Sequence, residues 1–460
     1  MVNNANLIEK VAKMKAGELT CTKNVQDFLA EVEKNNKKYN IFLEINKNAL
    51  KRAQELDNKR KTGDLGKFYG LVFALKSNMS VEGLTISCAS KTLETYKGTY
   101  NADVVETILK EDGIILGIVN NDEFASGISG ETSAFGPCIN ANAPLRVPGG
   151  SSAGSGAVIA AKMADVALGS DTGGSNRNPA SHCGITGIKP SYGRVSRFGL
   201  MDLSMSLDQI GPLTKDVSSA AFILQEIAGY SENDAISIDR KVQSYEKKDS
   251  KYTIGIIKEF DDMIADEKIK ELYINKKEKL QSLGHTIKEI SIDDITLAVE
   301  AYYPIVYVEF FSGTRKLDSV KYGKKFEAAA GIEALRRAMG GQEISKSEFE
   351  GAYYKKALKV KEIISDSFSK AFKEVDFILT PISPSLPHKL GESMSVEDGY
   401  AVDVFTCPSN LAGICAGAVS VDKIKEGDEE IPVGFQIMAN KFREDLMFQG
   451  LYILESLQNR

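Results

Sequence analysis

Two glycine- and serine-rich clusters, Pro148-Gly-Gly-Ser-Ser-Ala-Gly-Ser-Gly156 and Gly169-Ser-Asp-Thr-Gly-Gly-Ser175, hold the residue types from which acyl-transfer chemistry is built. A serine hydroxyl supplies a nucleophile, and glycines let backbone N–H groups come close to a developing oxyanion. Plain flexible loops share this composition. Placement argues for more: the first cluster precedes a helical pattern and the second follows a short apolar run, so each sits at an element end with unpaired N–H groups. Neither contains the lysine of G-x-x-x-x-G-K-[ST], and no G-x-G-x-x-G follows a strand, so ATP and NAD binding are unsupported. Gly150-Ser-Ser-Ala-Gly154 does match G-x-S-x-G, but Arg146 and Pro148 stand where a buried strand must lead into that elbow. The match is accidental.

An activated hydroxyl needs a base. The histidines are His182, His285 and His388; the last two read as surface residues and His182, seven positions beyond Ser175, as structural. Three scattered histidines and six cysteines without a C-x-x-C pair give no metal site, and the cysteines read as reduced, buried small hydrophobes. The base left near neutral pH is a lysine made neutral by burial. Lys76 ends the apolar run Leu71-Val-Phe-Ala-Leu75, which predicts an amine inside the core, where desolvation disfavours the ammonium. A snorkelling or ion-paired lysine is the alternative.

The elements that must position these groups follow from periodicity. Leu7 to Met14 and Val25 to Val32 predict a helical pair, with Thr22 as N-cap of the second, and Ala49 to Lys61 a third helix. From Gly70, apolar runs at Leu71 to Leu75, Ile114 to Val119 and Val166 to Leu168 alternate with helical patterns at Ala102 to Glu111 and Gly154 to Met163. That is the texture of an α/β sheet core. A helix over Val217 to Tyr230 leads to a polar surface excursion, Ser231 to Lys251. Thr253 to Ile257, Asp266 to Leu283 and Thr286 to Ile292 then predict a β-α-β unit. A capping box, Ser347 to Glu350, opens an amphipathic helix, and Phe377 to Thr380, Ala418 to Val421 and Pro432 to Ile437 read as returning strands before a closing helix at Arg443 to Leu457.

The 460 residues, 43% hydrophobic and 26% charged, belong to a folded chain with a large core. A polar N-terminus and the lack of a ~20-residue apolar run predict a cytoplasmic protein without a membrane span. The net charge of -6 does not attract a polyphosphate backbone, so any nucleic acid is expected on another subunit.

Taken together, Lys76, Gly149-Gly-Ser-Ser152 and the second cluster resemble the amidase signature family. The resemblance is dense from Gly70 to Val217 and includes Asn121-Asp-Glu-Phe-Ala125, Glu131-Thr-Ser-Ala-Phe-Gly-Pro137, Arg146-Val-Pro-Gly-Gly-Ser-Ser152, Lys189-Pro-Ser-Tyr-Gly-Arg-Val-Ser196 and Ser206-Leu-Asp-Gln-Ile-Gly-Pro212. It implies an α/β amidase-signature fold, a large mixed sheet flanked by helices, with residues 1–65 as an N-terminal helical extension on a domain of residues 66–460. It also implies Ser175 as nucleophile, Ser151 as relay, reached through a cis peptide, and Lys76 as base. Thr172, Gly173, Gly174 and Ser175 would form the oxyanion hole. A neutral Lys76 at pH 7 requires a pKa lowered by about 3 units.

Within that family the pattern is most similar to the glutamine-hydrolysing subunits of tRNA-dependent amidotransferases, through Asn121 to Pro137, Tyr192 to Pro212, Ala352 to Val360 and Asn410-Leu-Ala-Gly413. That similarity implies glutamine as substrate, held by Tyr302, Arg337 and Asp403, the arginine on the α-carboxylate and the aspartate on the α-ammonium. It implies no metal or cofactor in this chain; ATP and Mg2+ would belong to the tRNA-binding B component of such an amidotransferase, accompanied by a small C component. The ammonia would convert Glu-tRNA(Gln), or Asp-tRNA(Asn), to the amidated form. Departures from the family pattern are Ser77 for Asp, Ala153 for Gly, Asn176 for Ile and His182 for Phe. A standalone amidase for small, aryl or fatty amides is the alternative, and a catalytically idle scaffold is a third reading.

Overall fold

The three apolar runs that follow Gly70 become adjacent strands of one mixed sheet. A computed structural model describes residues 6–346 and 350–458. Its strands are β1 (Phe42–Ile45), β2 (Val72–Lys76), β3 (Ile114–Val119), β4 (Val166–Asp171), β5 (Thr186–Lys189), β6 (Gln209–Thr214), β7 (Thr253–Ile257), β8 (Thr286–Ile290), β9 (Phe377–Pro381), β10 (Cys415–Glu426) and β11 (Glu429–Ala439). The sheet order is β1-β3-β2-β4-β6-β5-β10-β11-β9-β7-β8. β2 runs parallel to both β3 and β4, and β7 parallel to β8 and β9, while the middle of the sheet is antiparallel.

The helices are α1 (Leu7–Ala16), α2 (Cys21–Tyr39), α3 (Ala49–Lys59), α4 (Asp103–Lys110), α5 (Ala153–Ala160), α6 (Arg177–Cys183), α7 (Val217–Ile227), α8 (Lys258–Asp261), α9 (Glu267–Ser282), α10 (Ala298–Thr314), α11 (Phe326–Ala329), α12 (Ile332–Ile344), α13 (Ala352–Ala371), α14 (Val396–Ala401), α15 (Cys407–Leu411) and α16 (Glu444–Ser456). They cover both faces of the sheet. Gly434 of β11 lies against Ser181 of α6, and Ile437 lies against Gly450 of α16. Residues three apart on a strand point to opposite faces, so α6 and α16 sandwich β11. This is why β2, β3, β4, β6 and β9 are buried at every position, and why β2 and β3 read as continuous apolar runs instead of alternating ones.

Residues 7–59 do more than pack on the core. β1 pairs antiparallel with β3 and forms one edge of the sheet. A buried Lys10–Asp165 ion pair and the Asn24 amide, 3.0 Å from Asp165, tie α1 and α2 to the turn before β4. The N-cap of α2 is Thr20, whose side chain accepts from Lys23 N–H, and not Thr22. The Asp57 carboxylate, brought in by α3, takes the N–H groups of Cys21 and Thr22 at 2.8 and 3.0 Å. The distant Asp57 thereby completes the cap that Thr20 begins. Ser347 of the expected capping box lies outside the described residues; α13 begins after Gly351, which has a left-handed backbone. The six cysteines are free and buried. No helix among the described residues is long and apolar enough to cross a membrane.

The helices α10 and α12 meet at backbone distance. A Cβ on Gly341 would lie 1.9 Å from the Tyr307 carbonyl oxygen, so only glycine permits this approach. It brings the tyrosines of α10 against the arginines of α12.

Candidate active site

Lys76 is the last residue of β2 and is completely buried. β3 ends level with it at Val119, while β4 runs on past Leu168, the partner of Leu75, to Asp171 and so brings Ser170 beside the Lys76 amine. The Lys76 amine lies 2.8 Å from Ser151 Oγ, 2.9 Å from Ser170 Oγ, 3.0 Å from Ser152 Oγ and 3.3 Å from the Ser170 carbonyl. Burial pushes its pKa down to about 7 against the opposing pull of Asp122, Asp208 and Asp171. Three of its four neighbours are hydroxyls, which can donate to a nitrogen lone pair as well as accept from N–H. A neutral amine keeps two N–H donors, enough for the Ser170 carbonyl and one serine oxygen, while the Ser152 hydroxyl is left to donate to Asn176 at 3.1 Å. The pocket thus accommodates a neutral amine without leaving a buried acceptor unpaired.

The loop carrying Ser151 is held from below by Asp122. The Gly150–Ser151 peptide bond is cis. A Cβ on Gly150 would fall 2.0 Å from an Asp122 carboxylate oxygen, so the loop closes only over glycine. Gly150 N–H donates to the Ile128 carbonyl at 2.7 Å, and Asp122 N–H donates to the Ser151 carbonyl at 3.1 Å. The Asp122 carboxylate is itself fixed by the N–H groups of Gly130 and Thr132 and the Thr132 hydroxyl.

The second serine loop leaves β4 at Asp171. That carboxylate accepts from Gly174 N–H at 2.9 Å, Asn176 N–H at 3.1 Å, Asn410 at 3.0 Å and the Arg177 guanidinium at 2.9 and 3.0 Å. Burial raises the Asp171 carboxyl, but the Arg177 guanidinium outweighs it and holds the group down at about 2. The result is a fixed anion about which the loop is wound. Gly174 was expected to face an oxyanion, yet its N–H is spent on Asp171, so it leaves that set. Among the described residues, the N–H groups of Thr172, Gly173 and Ser175 have no protein acceptor. Ser175 is 8% exposed, and its carbonyl accepts from Ser152 N–H at 3.2 Å, which joins the two serine loops. No hydrogen bond links the Ser151 and Ser175 hydroxyls in this structure.

The opposite wall comes from residues beyond 298. Tyr302 is buried with its ring over Gly173, where a Cβ would lie 2.4 Å from the phenol oxygen. Asp403 is buried, accepts from Tyr303 at 2.9 Å, and burial pushes its carboxyl up to about 6. Asn178, at the start of α6, approaches the same carboxylate at 3.4 Å. Arg337 is buried on α12, donates to Glu333 at 2.8 Å, and stands 5.6 Å from the centre of the Tyr303 ring. It borders a cavity of about 530 Å3 together with Tyr303, Arg336, Glu333 and Tyr400. The neighbouring Arg336 is otherwise engaged: it donates to the hydroxyls of Tyr307 at 2.7 Å and Tyr400 at 2.9 Å.

The sequence reading missed Ser152 and Ser170 as partners of Lys76, Tyr303 as the partner of Asp403, and Asp122 and Asp171 as the anchors of the loops. Ser152 and Asp171 stood inside the two clusters; Tyr303 gave no signal beyond its neighbour. His285, expected at the surface, is buried, accepts from Tyr252 N–H at 3.2 Å and stacks on that ring. His182 is buried with both ring nitrogens unpartnered, and burial pushes it down to about 3, so it stays neutral. Ser77 donates its hydroxyl to Asn121 at 2.5 Å, and Asn176 accepts from Ser152 at 3.1 Å. Through Ser152 the second departure joins the polar net around Lys76; the first is bonded to Asn121. No group of three or more His, Cys, Asp or Glu side chains among the described residues is placed to hold a metal ion.

Residues 23–448 match the family described as Amidase. The chain belongs to the amidase signature family. Within it, the chain is 46% identical over 459 residues to the A component of glutamyl-tRNA(Gln) amidotransferase from Methanobrevibacter smithii, covering 98% of this chain and 99% of that one. It is 47% identical over 435 residues to the same component from Methanocaldococcus jannaschii, covering 94% and 98%. Among solved structures of the family, the corresponding amidotransferase component from Thermotoga maritima superposes with a TM-score of 0.82 at 35% identity, over 96% of this chain and 95% of that one. A peptide amidase from Stenotrophomonas maltophilia shares the amidase fold, with a TM-score of 0.83 at 24% identity over 98% and 96%.

Proposed function

We propose that this chain is the glutamine-hydrolysing subunit of a tRNA-dependent amidotransferase. The observation that carries the reading is the contact of a wholly buried lysine with the Ser151 hydroxyl, one backbone hydrogen bond away from the loop of Ser175. The full-length similarity to the glutamyl-tRNA(Gln) amidotransferase relatives supports the choice of glutamine over other amides.

In this mechanism neutral Lys76 takes the proton of Ser151, Ser151 takes that of Ser175, and Ser175 Oγ attacks the glutamine carboxamide carbon. The oxyanion accepts from the N–H groups of Thr172, Gly173 and Ser175. When the C–N bond breaks, the proton returns through Ser151 to the departing nitrogen and ammonia leaves. Water then resolves the glutamyl ester by the same relay, giving glutamate and free Ser175. Arg337 binds the α-carboxylate, Asp403 the α-ammonium, and Tyr302 closes over the chain of the substrate. ATP, Mg2+ and tRNA belong to the partner B component, with a small C component completing the complex. The ammonia is consumed there in the cytoplasm.

Mild purification from the native source with mass spectrometry of co-eluting chains tests the setting. A stoichiometric tRNA- and ATP-binding partner is the expected result; a chain that elutes alone and hydrolyses aryl or alkyl amides in preference to glutamine would overturn it. Glutamine hydrolysis abolished by Ser175→Ala tests the nucleophile and excludes an idle scaffold.

A further inference from the structure

Glu123 is a buried carboxylate, 1% exposed, that the chemistry above does not use. It follows Asp122 directly, and the two neighbours serve opposite walls of the site. Asp122 holds the Ser151 loop. The Glu123 Oε2 atom crosses to the other wall and accepts from Gly331 N–H at 2.7 Å, at the N-terminus of α12.

Three features show that this contact is built. Gly331 is the N-cap of α12, and its own N–H, which has no partner within the helix, is the one that Glu123 accepts. A Cβ on Gly331 would lie 2.6 Å from Glu123 Oε2, so the cap is glycine where the carboxylate comes in. Phe124 and Ala125 have left-handed backbones, with φ of 50° and 59°, an uncommon conformation for residues with side chains. It turns Phe124 against Phe310 of α10 and Phe326 of α11, so the same short loop grips three helices of that wall. A negative carboxylate at a helix N-terminus is also electrostatically favourable.

We propose that Glu123 is a positioning residue: by capping α12 it sets the reach of Arg337 toward the α-carboxylate of glutamine, tying the substrate-binding helix to the loop that supports Ser151. This inference rests on the proposed function. It predicts a defect specific to substrates that use Arg337.

The test uses the full-length chain, purified with the subunits that accompany it, and compares kcat and KM on glutamine and on 4-aminobutanamide, which keeps the carboxamide and the amine but lacks the α-carboxylate. For Glu123→Ala and Glu123→Gln, KM for glutamine is expected to rise, about tenfold for the alanine and less for the amide. The constants for 4-aminobutanamide stay within about twofold of wild type. Gly331→Ala, which leaves the 122–125 loop untouched and crowds the contact with one methyl group, is expected to give the same signature. In the background of Arg337→Ala, Glu123→Ala is expected to add little, because the two act through one contact. Equal losses on both amides, or a fall in kcat alone, in an enzyme active on glutamine would overturn this inference and leave the proposed function standing. A wild-type enzyme inactive on glutamine would overturn the proposed function itself.

Discussion

Two lysines end buried strands in this protein, and they make an instructive pair. Lys76 closes β2 and Lys189 closes β5; both are 0% exposed, and burial pushes each amine down to about 7. Desolvation alone would nominate either as a base. Their partners separate them. Lys76 faces the hydroxyls of Ser151, Ser152 and Ser170, which give or take a proton. Lys189 faces the carbonyls of Pro190 and Ile414 and the amide oxygen of Gln209, whose NH2 end is turned away onto Leu207. Three pure acceptors require three N–H donors, so Lys189 is a fixed ammonium strut while Lys76 is free to lose its proton. Burial makes a lysine a candidate base, and the chemistry of its neighbours decides whether it becomes one.

The largest effects should come from removing each lysine in turn. Lys76→Met is expected to lower kcat for glutamine by about 10^4-fold while thermal unfolding stays close to wild type. Lys189→Met is expected to do the reverse: it strands three buried oxygens and costs about 3–5 kcal/mol of stability, with kcat of the folded fraction little changed. Parallel kinetics and denaturant titrations decide, and matching losses in both variants would erase the distinction.

Asp171 acts on both lysines, since its charge favours the ammonium at each. Asp171→Asn leaves the buried Arg177 guanidinium without its counter-ion and should cost about 3 kcal/mol, measured by urea unfolding. In the surviving enzyme the acid limb of activity should move to lower pH, because Lys76 then loses its proton more readily. A shift to higher pH would contradict the assignment of Lys76 as base.

In the wild type that limb itself is the finest test. Activity needs the neutral amine, so kcat/KM should fall as pH drops through about 7, by roughly tenfold per unit below the midpoint, and level off above it. Lys189→Arg should leave the limb in place. The linkage has a matching sign in stability: Lys76 binds its proton more weakly folded than unfolded, so stability should rise with pH above about 7, and Lys76→Met should weaken that slope. A profile flat from pH 5 to 9, with chemistry rate-limiting, would remove the neutral lysine from the mechanism.

Legibility in the sequence follows the same division. Lys76 is readable because a charged residue at the end of Leu71-Val-Phe-Ala-Leu75 interrupts an apolar run, and Ser151 and Ser175 because glycine clusters at element ends are uncommon enough to notice. Lys189 lies within Lys189-Pro-Ser, where no long apolar run precedes it, and β5 and β6 are not recognisable as strands from their residues. Their four and six residues contain Gly, Pro and Gln, which blur any strand pattern, and they are strands because β4 and β10 pair with them. Only resemblance singles out Arg337 over Arg336 in the sequence. The physical reason stands in the fold: Arg336 is taken up by Glu333, Tyr307 and Tyr400, and the one-residue step around the helix turns Arg337 inward beside Tyr303.

The sequence by itself determined an α/β chain of the amidase signature family, with a buried lysine and two serine loops whose glycines admit close backbone contacts. Those are local properties: burial patterns, element ends and small residues are written in consecutive positions. Only the tertiary structure decided that Gly174 gives its N–H to Asp171, that Tyr303 holds Asp403, and that Glu123 reaches across to α12. The last two contacts join residues 100 and 208 positions apart. Even Gly174 and Asp171, three positions apart, meet in that geometry because Arg177 and Asn410 fix the carboxylate from outside the loop. A hydrogen bond depends on tenths of an ångström between groups delivered by different elements, and no residue in a sequence carries the address of its partner.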